Sequence, residues 1–127
     1  MATLLVPAAP AAAQQYPVKP IRIIVGFTPG NAMDIRARQF ALRIAEPLGQ
    51  QVLVENKPGA GGAIAVEFVA KSAPDGYTLV GETTSESVLN AAAGVKLPYD
   101  PMKELVPVAL ITSGVPYLLA NPAFGAD

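Results

Sequence analysis

The 127-residue sequence contains no cysteine, no histidine and no tryptophan. Without cysteine there is neither a disulfide framework nor a thiolate nucleophile. Without histidine the commonest general base and the commonest transition-metal ligand are both gone, which removes nearly every transition-metal site. Carboxylates and lysines still do acid and base work, so an enzyme is disfavoured rather than excluded. A chain free of cysteine suits an exported protein, although many cytoplasmic proteins share the trait. Charge is sparse and balanced: nine basic residues stand against ten acidic ones, for a net charge of -1. No basic cluster stands out, and the four tyrosines and four phenylalanines form no ladder for stacking bases, so nucleic acid is not expected as a partner. No apolar run approaches the roughly 20 residues of a membrane-spanning helix, and membrane insertion is not expected either.

What is present is organised around Ile21 to Leu48. The run Ile21-Arg22-Ile23-Ile24-Val25-Gly26-Phe27 is rich in β-branched residues and lacks strict alternation, as in a strand buried on both faces of a mostly parallel sheet. Pro29 and Gly30 break it. Asn31 is a good N-cap, and Asp34, three residues on, can answer free backbone amides and the positive end of the helix dipole. A helix is therefore expected from Ala32, with Ile35, Ala37, Phe40, Ala41, Ile44, Ala45 and Leu48 on its apolar face. Asp34 and Arg38 are spaced for an i,i+4 ion pair. The helix should stop at Gly49, a plausible left-handed terminator. A loop at the carboxyl end of a strand that feeds a helix N-terminus is a place where anions bind, although most such loops only turn the chain. It is not a phosphate motif: Gly30 lacks the G-x-G-x-x-G spacing, and no G-x-x-x-x-G-K-[ST] occurs.

The remaining chain repeats the pattern. Gln51 to Asn56 reads as a second strand, and Gly59-Ala60-Gly61-Gly62 allows close backbone approach, either to a ligand or to the sheet. Ala63 to Lys71 reads as a helix that is apolar almost all round and hence largely buried. Ser72-Ala73-Pro74-Asp75-Gly76 is a turn, and Tyr77 to Val80 is a third strand. The polar loop Gly81 to Ser87 follows, whose hydroxyls either meet a polar ligand or cap a helical turn over Val88 to Ala93. Two apolar runs come last, Leu105 to Thr112 and Val115 to Ala120. Strand, helix, strand, helix, strand in alternation implies an α/β fold with a mostly parallel sheet flanked by helices. Residues 1–15 are uncharged and end in Ala11-Ala12-Ala13-Gln14-Gln15, which resembles the tail of a secretory signal peptide.

Several stretches together resemble the extracytoplasmic solute receptors of tripartite tricarboxylate transporters, often called Bug proteins. They are Tyr16-Pro17-Val18-Lys19-Pro20-Ile21-Arg22, Phe27-Thr28-Pro29-Gly30 with Asp34 and Arg38, Val54 to Gly62, Ala73-Pro74-Asp75-Gly76-Tyr77-Thr78-Leu79, Leu97-Pro98-Tyr99-Asp100-Pro101 and Asn121-Pro122. Each is weak alone; six in order are strong. The resemblance implies part of a type II periplasmic-binding-protein-like lobe, incomplete here, in which residues 1–15 are a signal remnant, 16–112 a partial first lobe and 113–127 the start of the crossover to a second. It implies a periplasmic, non-enzymatic receptor without a cofactor, for a small carboxylate solute that it delivers to membrane transporter subunits. The ligand-binding residues carried over are Phe27, Thr28, Pro29, Gly30, Asn31, Ala32, Met33, Asp34, Thr83, Thr84 and Ser85. The chain departs from the family pattern at Asn31, where a second glycine is usual, at Met33, where a small hydroxyl residue is common, and at Ala91, where proline is usual. Family members are more than twice as long, so binding is expected to be impaired. If a complete receptor binds at about micromolar and one lobe supplies half of that free energy, this chain retains only about 4 kcal/mol, near millimolar. The alternatives are a nucleotide-binding α/β enzyme domain and a stand-alone interaction module.

Overall fold

Continuous apolar character belongs to a strand with neighbours on both edges and helices on both faces, and β1 (Ile21–Val25) occupies that position. The computed structural model describes residues 16–83 and 89–113. Within them β1, β2 (Val52–Asn56) and β3 (Thr78–Gly81) form a parallel sheet of order β2-β1-β3. Ile23 pairs in register with Val54 on one side and Leu79 on the other. The strand ends at Val25, two residues before the sequence pattern suggests. Its last carbonyl accepts from the Lys57 amide at 2.8 Å, after which the Phe27 carbonyl is taken by the Asn56 side chain at 3.0 Å.

Side chains alternate across β1, and the two faces carry separate cores. Ile23 and Val25 pack with Met33, Ala37 and Ala41 of α1 (Ala32–Leu48). On the opposite face α2 (Ala63–Ala70) contributes Ala63 and Val66 to a cluster with Tyr99, against which Val80, Leu97 and Leu105 pack. The buried Tyr99 is a core residue that the proline-punctuated segment around it does not announce. Arg22, also on the α2 face, is held by Glu55 through two hydrogen bonds of 2.6 Å, with its guanidinium 5.7 Å from the Phe68 ring. This pairing holds the Glu55 carboxyl below its ordinary pKa.

Helix α1 has the bounds its caps dictate. Asn31 Oδ1 accepts from the Met33 amide at 2.9 Å, and Gly49 closes the helix at φ 62°. Two details differ from the periodicity. Ile35 is 48% exposed, and Met33 takes the buried place beneath Gly81 instead. On α2, likewise, Ile64 is 47% exposed, so that helix is half-buried rather than enclosed. A Cβ at Gly49 meets nothing within 4 Å, so Gly49→Ala carries only the backbone penalty of a left-handed residue. We expect a loss of about 1 kcal/mol, read as a lower urea midpoint with an unchanged slope.

The turn before β3 is clasped by the first described residues. Tyr16 Oη donates to the Gly76 carbonyl at 2.7 Å, the Val18 amide donates to Tyr77 Oη at 2.9 Å, and Lys19 Nζ lies 3.1 Å from the Asp75 carboxylate. The Tyr77 amide and then Lys19 hold the Asp75 carboxyl below its usual range. Beyond β3, the expected helical turn appears as α3 (Asn90–Ala92). The apolar run Leu105 to Thr112 forms no strand; Pro107 has no amide to give to a ladder, and Val106, Val108 and Leu110 are exposed. Residues 1–15 and the run Val115 to Ala120 lie outside the described residues.

Candidate functional site

Because the three strands are parallel, their carboxyl ends share one edge, and the loops leaving β1, β2 and β3 gather there. The loop from β1 runs from Phe27 to Asn31 and opens α1. Thr28, Pro29, Gly30, Asn31 and Ala32 are exposed, Phe27 is half-buried, and the Met33 and Asp34 side chains are buried. Gly30 sits at φ 84° with open space where a side chain would be. The loop leaving β2 passes through Gly59 and Gly61 to Gly62, which abuts Gly26 so closely that a Cβ on Gly26 stands 2.7 Å from Gly62 Cα. Close backbone packing on the sheet is thus one function of that glycine-rich loop. From the third loop, Glu82 is half-buried and Thr83 exposed; Thr84 and Ser85 lie outside the described residues.

The β1 loop is held by one buried carboxylate. Asp34 Oδ2 accepts from the Gly30 amide at 2.9 Å and from Arg38 Nε at 3.1 Å. Asp34 Oδ1 accepts from Arg38 Nη2 and from Asn56 Nδ2, both at 2.9 Å. Asn56 Nδ2 also donates to the Phe27 carbonyl, and Asn56 Oδ1 accepts from Arg38 Nη2 at 3.0 Å. Sequence spacing anticipates the Asp34–Arg38 pair and the cap at Asn31. It gives no sign of Asn56, the last residue of β2, whose only local cue is a polar amide at a strand end.

The electrostatics follow from these partners. Arg38 first, then the Gly30 amide and Asn56, hold the Asp34 carboxyl well below the usual carboxylate range, and Asp34 raises the Arg38 pKa in turn. A carboxylate with both oxygens engaged and its charge firmly kept is a poor proton acceptor. Asp34 therefore shapes the loop. The amides of Thr28 and Ala32, by contrast, have no hydrogen-bond partner among the described residues, and they sit where the α1 dipole favours negative charge. The described residues include no cluster of three or more histidine, cysteine or carboxylate side chains placed to hold a metal ion. No helix among them is long and apolar enough to cross a membrane.

A profile described as "Tripartite tricarboxylate transporter family receptor" (TctC) matches residues 36–127. The chain belongs to this receptor family. The match starts two residues after Asp34, so the loop itself lies just ahead of it. Among curated relatives, Protein BugT of Bordetella pertussis is 42% identical over 124 residues, covering 94% of this chain and 37% of BugT. The receptor chain thus spans little more than a third of that relative's length. Among solved structures, one described as a periplasmic transporter is 50% identical with a TM-score of 0.64, covering 69% of this chain and 30% of that one. MatC from Rhodopseudomonas palustris, solved with bound malate, is 38% identical with a TM-score of 0.72, covering 76% of this chain and 33% of MatC.

Proposed function

We propose that this chain supplies one side of the solute cleft of an extracytoplasmic receptor, one that takes a small carboxylate and hands it to a tripartite tricarboxylate transporter. The observation that carries the reading is the exposed Thr28–Ala32 loop at the carboxyl edge of the sheet, whose Thr28 and Ala32 amides have no hydrogen-bond partner among the described residues and lie at the N-terminal end of α1. A carboxylate oxygen fits such donors, and charge-assisted bonds to amides are stronger than neutral ones. The family membership and the malate in MatC support the same ligand class. On this reading Thr83, Thr84 and Ser85 offer hydroxyls to the same solute, residues 16–112 belong to the first lobe, and residues 113–127 lead towards a second. Residues 1–15 are the end of an export signal, and the receptor works in the periplasm by binding alone.

A single lobe holds only part of a solute. Malate titrated into the nitrogen-15-labelled chain should shift the amide resonances of Thr28, Gly30, Asn31 and Ala32 with a dissociation constant near a millimolar, as half of a micromolar binding free energy gives. Absence of these shifts up to roughly fifty times that concentration, or shifts confined to other parts of the chain, overturns the reading. Saturation at micromolar malate overturns the half-cleft part of it.

A further inference from the structure

One polar side chain outside the β1 loop touches three separate parts of the proposed solute-binding region. Asn56 ends β2, where its backbone is fixed by pairing with Val25. Its side-chain amide donates to the Phe27 carbonyl at 3.0 Å, where the loop begins, and to Asp34 Oδ1 at 2.9 Å, in the first turn of α1. Its oxygen accepts from Arg38 at 3.0 Å, one turn further on. Two donors and one acceptor are thus matched to two acceptors and one donor, and no other side-chain type of that size carries this set. Asp34 in turn holds the Gly30 amide.

We infer that Asn56 is a positioning residue for solute capture: it ties both ends of the Phe27–Asp34 segment to the end of β2, so that the Thr28 and Ala32 amides keep one geometry. This rests on the solute-binding reading above. The physical argument is preorganisation. A loop whose ends are tied to a sheet loses little freedom when a ligand arrives, whereas an untied loop must first be ordered.

The test uses Asn56→Asp, with Asn56→Ala as the second variant in case the first does not fold. Aspartate turns both donated hydrogen bonds into oxygen-on-oxygen contacts at Phe27 and Asp34. A control, Glu55→Gln, changes the preceding residue and disturbs the Arg22 pair on the other face of the sheet. Two quantities are read on folded protein: hydrogen exchange at the Gly30 amide relative to Ile23 and Ile24, and the malate dissociation constant. Both Asn56 variants should exchange Gly30 about tenfold faster, while the two β1 amides keep their protection and malate binds about tenfold more weakly, the scale of a lost hydrogen bond to a charged group. The control should change neither. Gly30 exchange that stays as in the parent chain, or rises only in step with Ile23 and Ile24, overturns the inference. So does faster Gly30 exchange with malate binding unchanged. If the parent chain shows no malate response, the solute reading fails and the role in capture fails with it, whereas the Gly30 comparison still decides whether Asn56 pins the loop.

Discussion

Replacing Gly26 by alanine is expected to destabilise the chain by about 3 kcal/mol, the upper end of the usual range for overpacking. The reason is the partner. A Cβ at this position stands 2.7 Å from Gly62 Cα and 3.0 Å from Gly62 O, and both are backbone, so no side chain can rotate aside. To relieve the clash, either the end of β1 must leave the sheet or the N-terminus of α2 must lift from it. The first loosens Val25, which is fully buried; the second uncovers Val66, which is 1% exposed. Against a total stability of about 5–15 kcal/mol for a domain, a loss of this size is severe. Gly26→Val, with two more carbons at the same contact, should not fold. Urea unfolding followed by circular dichroism decides the matter: an alanine variant within about 0.5 kcal/mol of the parent, the range of a neutral surface substitution, shows that Gly26 and Gly62 do not meet.

The fold is legible in the sequence wherever its cause is local. Helix α1 has its expected bounds because both ends are set by neighbours in sequence, the Asn31 side chain on the Met33 amide and Gly49 in the left-handed conformation. The strands are legible as strands, but β1 stops at Val25 because a residue far along the chain, Asn56, takes the next free carbonyl. Periodicity fails where tertiary contact outranks it. Met33 enters the core beneath Gly81 and Ile35 turns outward, although the helical pattern alone places Ile35 on the apolar face. Tyr99 is hidden for the same reason: nothing within Leu97 to Pro101 shows that Val66 waits for it on α2.

The candidate site divides along the same line. That the β1 loop opens outward at a helix N-terminus follows from parallel-sheet geometry and can be read beforehand. Which of its amides are engaged cannot, because that depends on where Asp34 folds back and what stands behind it. The sequence offers Phe27 to Asp34 as one continuous candidate; the structure divides it into an outward part, Thr28 to Ala32, and a buried part, Met33 and Asp34, whose side chains hold the first in place. A region whose donors have no partner among the described residues must be held elsewhere, and here Asp34 and Asn56 hold it.

Asp34→Asn should therefore lower the thermal midpoint at pH 7 by roughly 10 °C, the scale of several charge-assisted hydrogen bonds disturbed together in a small domain. The substitution keeps the shape and removes an acceptor. If the new NH2 group takes the Oδ2 place, it faces the Gly30 amide and Arg38 Nε; if it takes the Oδ1 place, it faces Asn56 Nδ2 and Arg38 Nη2. Either way donor meets donor, and Arg38 loses its counter-charge. The pH dependence supplies an independent check. The folded protein holds the Asp34 carboxyl below its ordinary value, with Arg38 as the first cause, so the unfolded chain takes up a proton first as pH falls. The stabilisation is complete above the unfolded value of about 4 and is lost progressively below it. The gap between parent and Asp34→Asn should accordingly be constant from pH 7 to about 5 and narrow below about 4. Glu55, Asp75 and Asp100 are shifted in the same direction, so both proteins weaken in acid, the parent more steeply. A gap that stays constant down to about pH 2.5, well under the ordinary carboxylate value, shows that the Asp34 charge does not hold the loop.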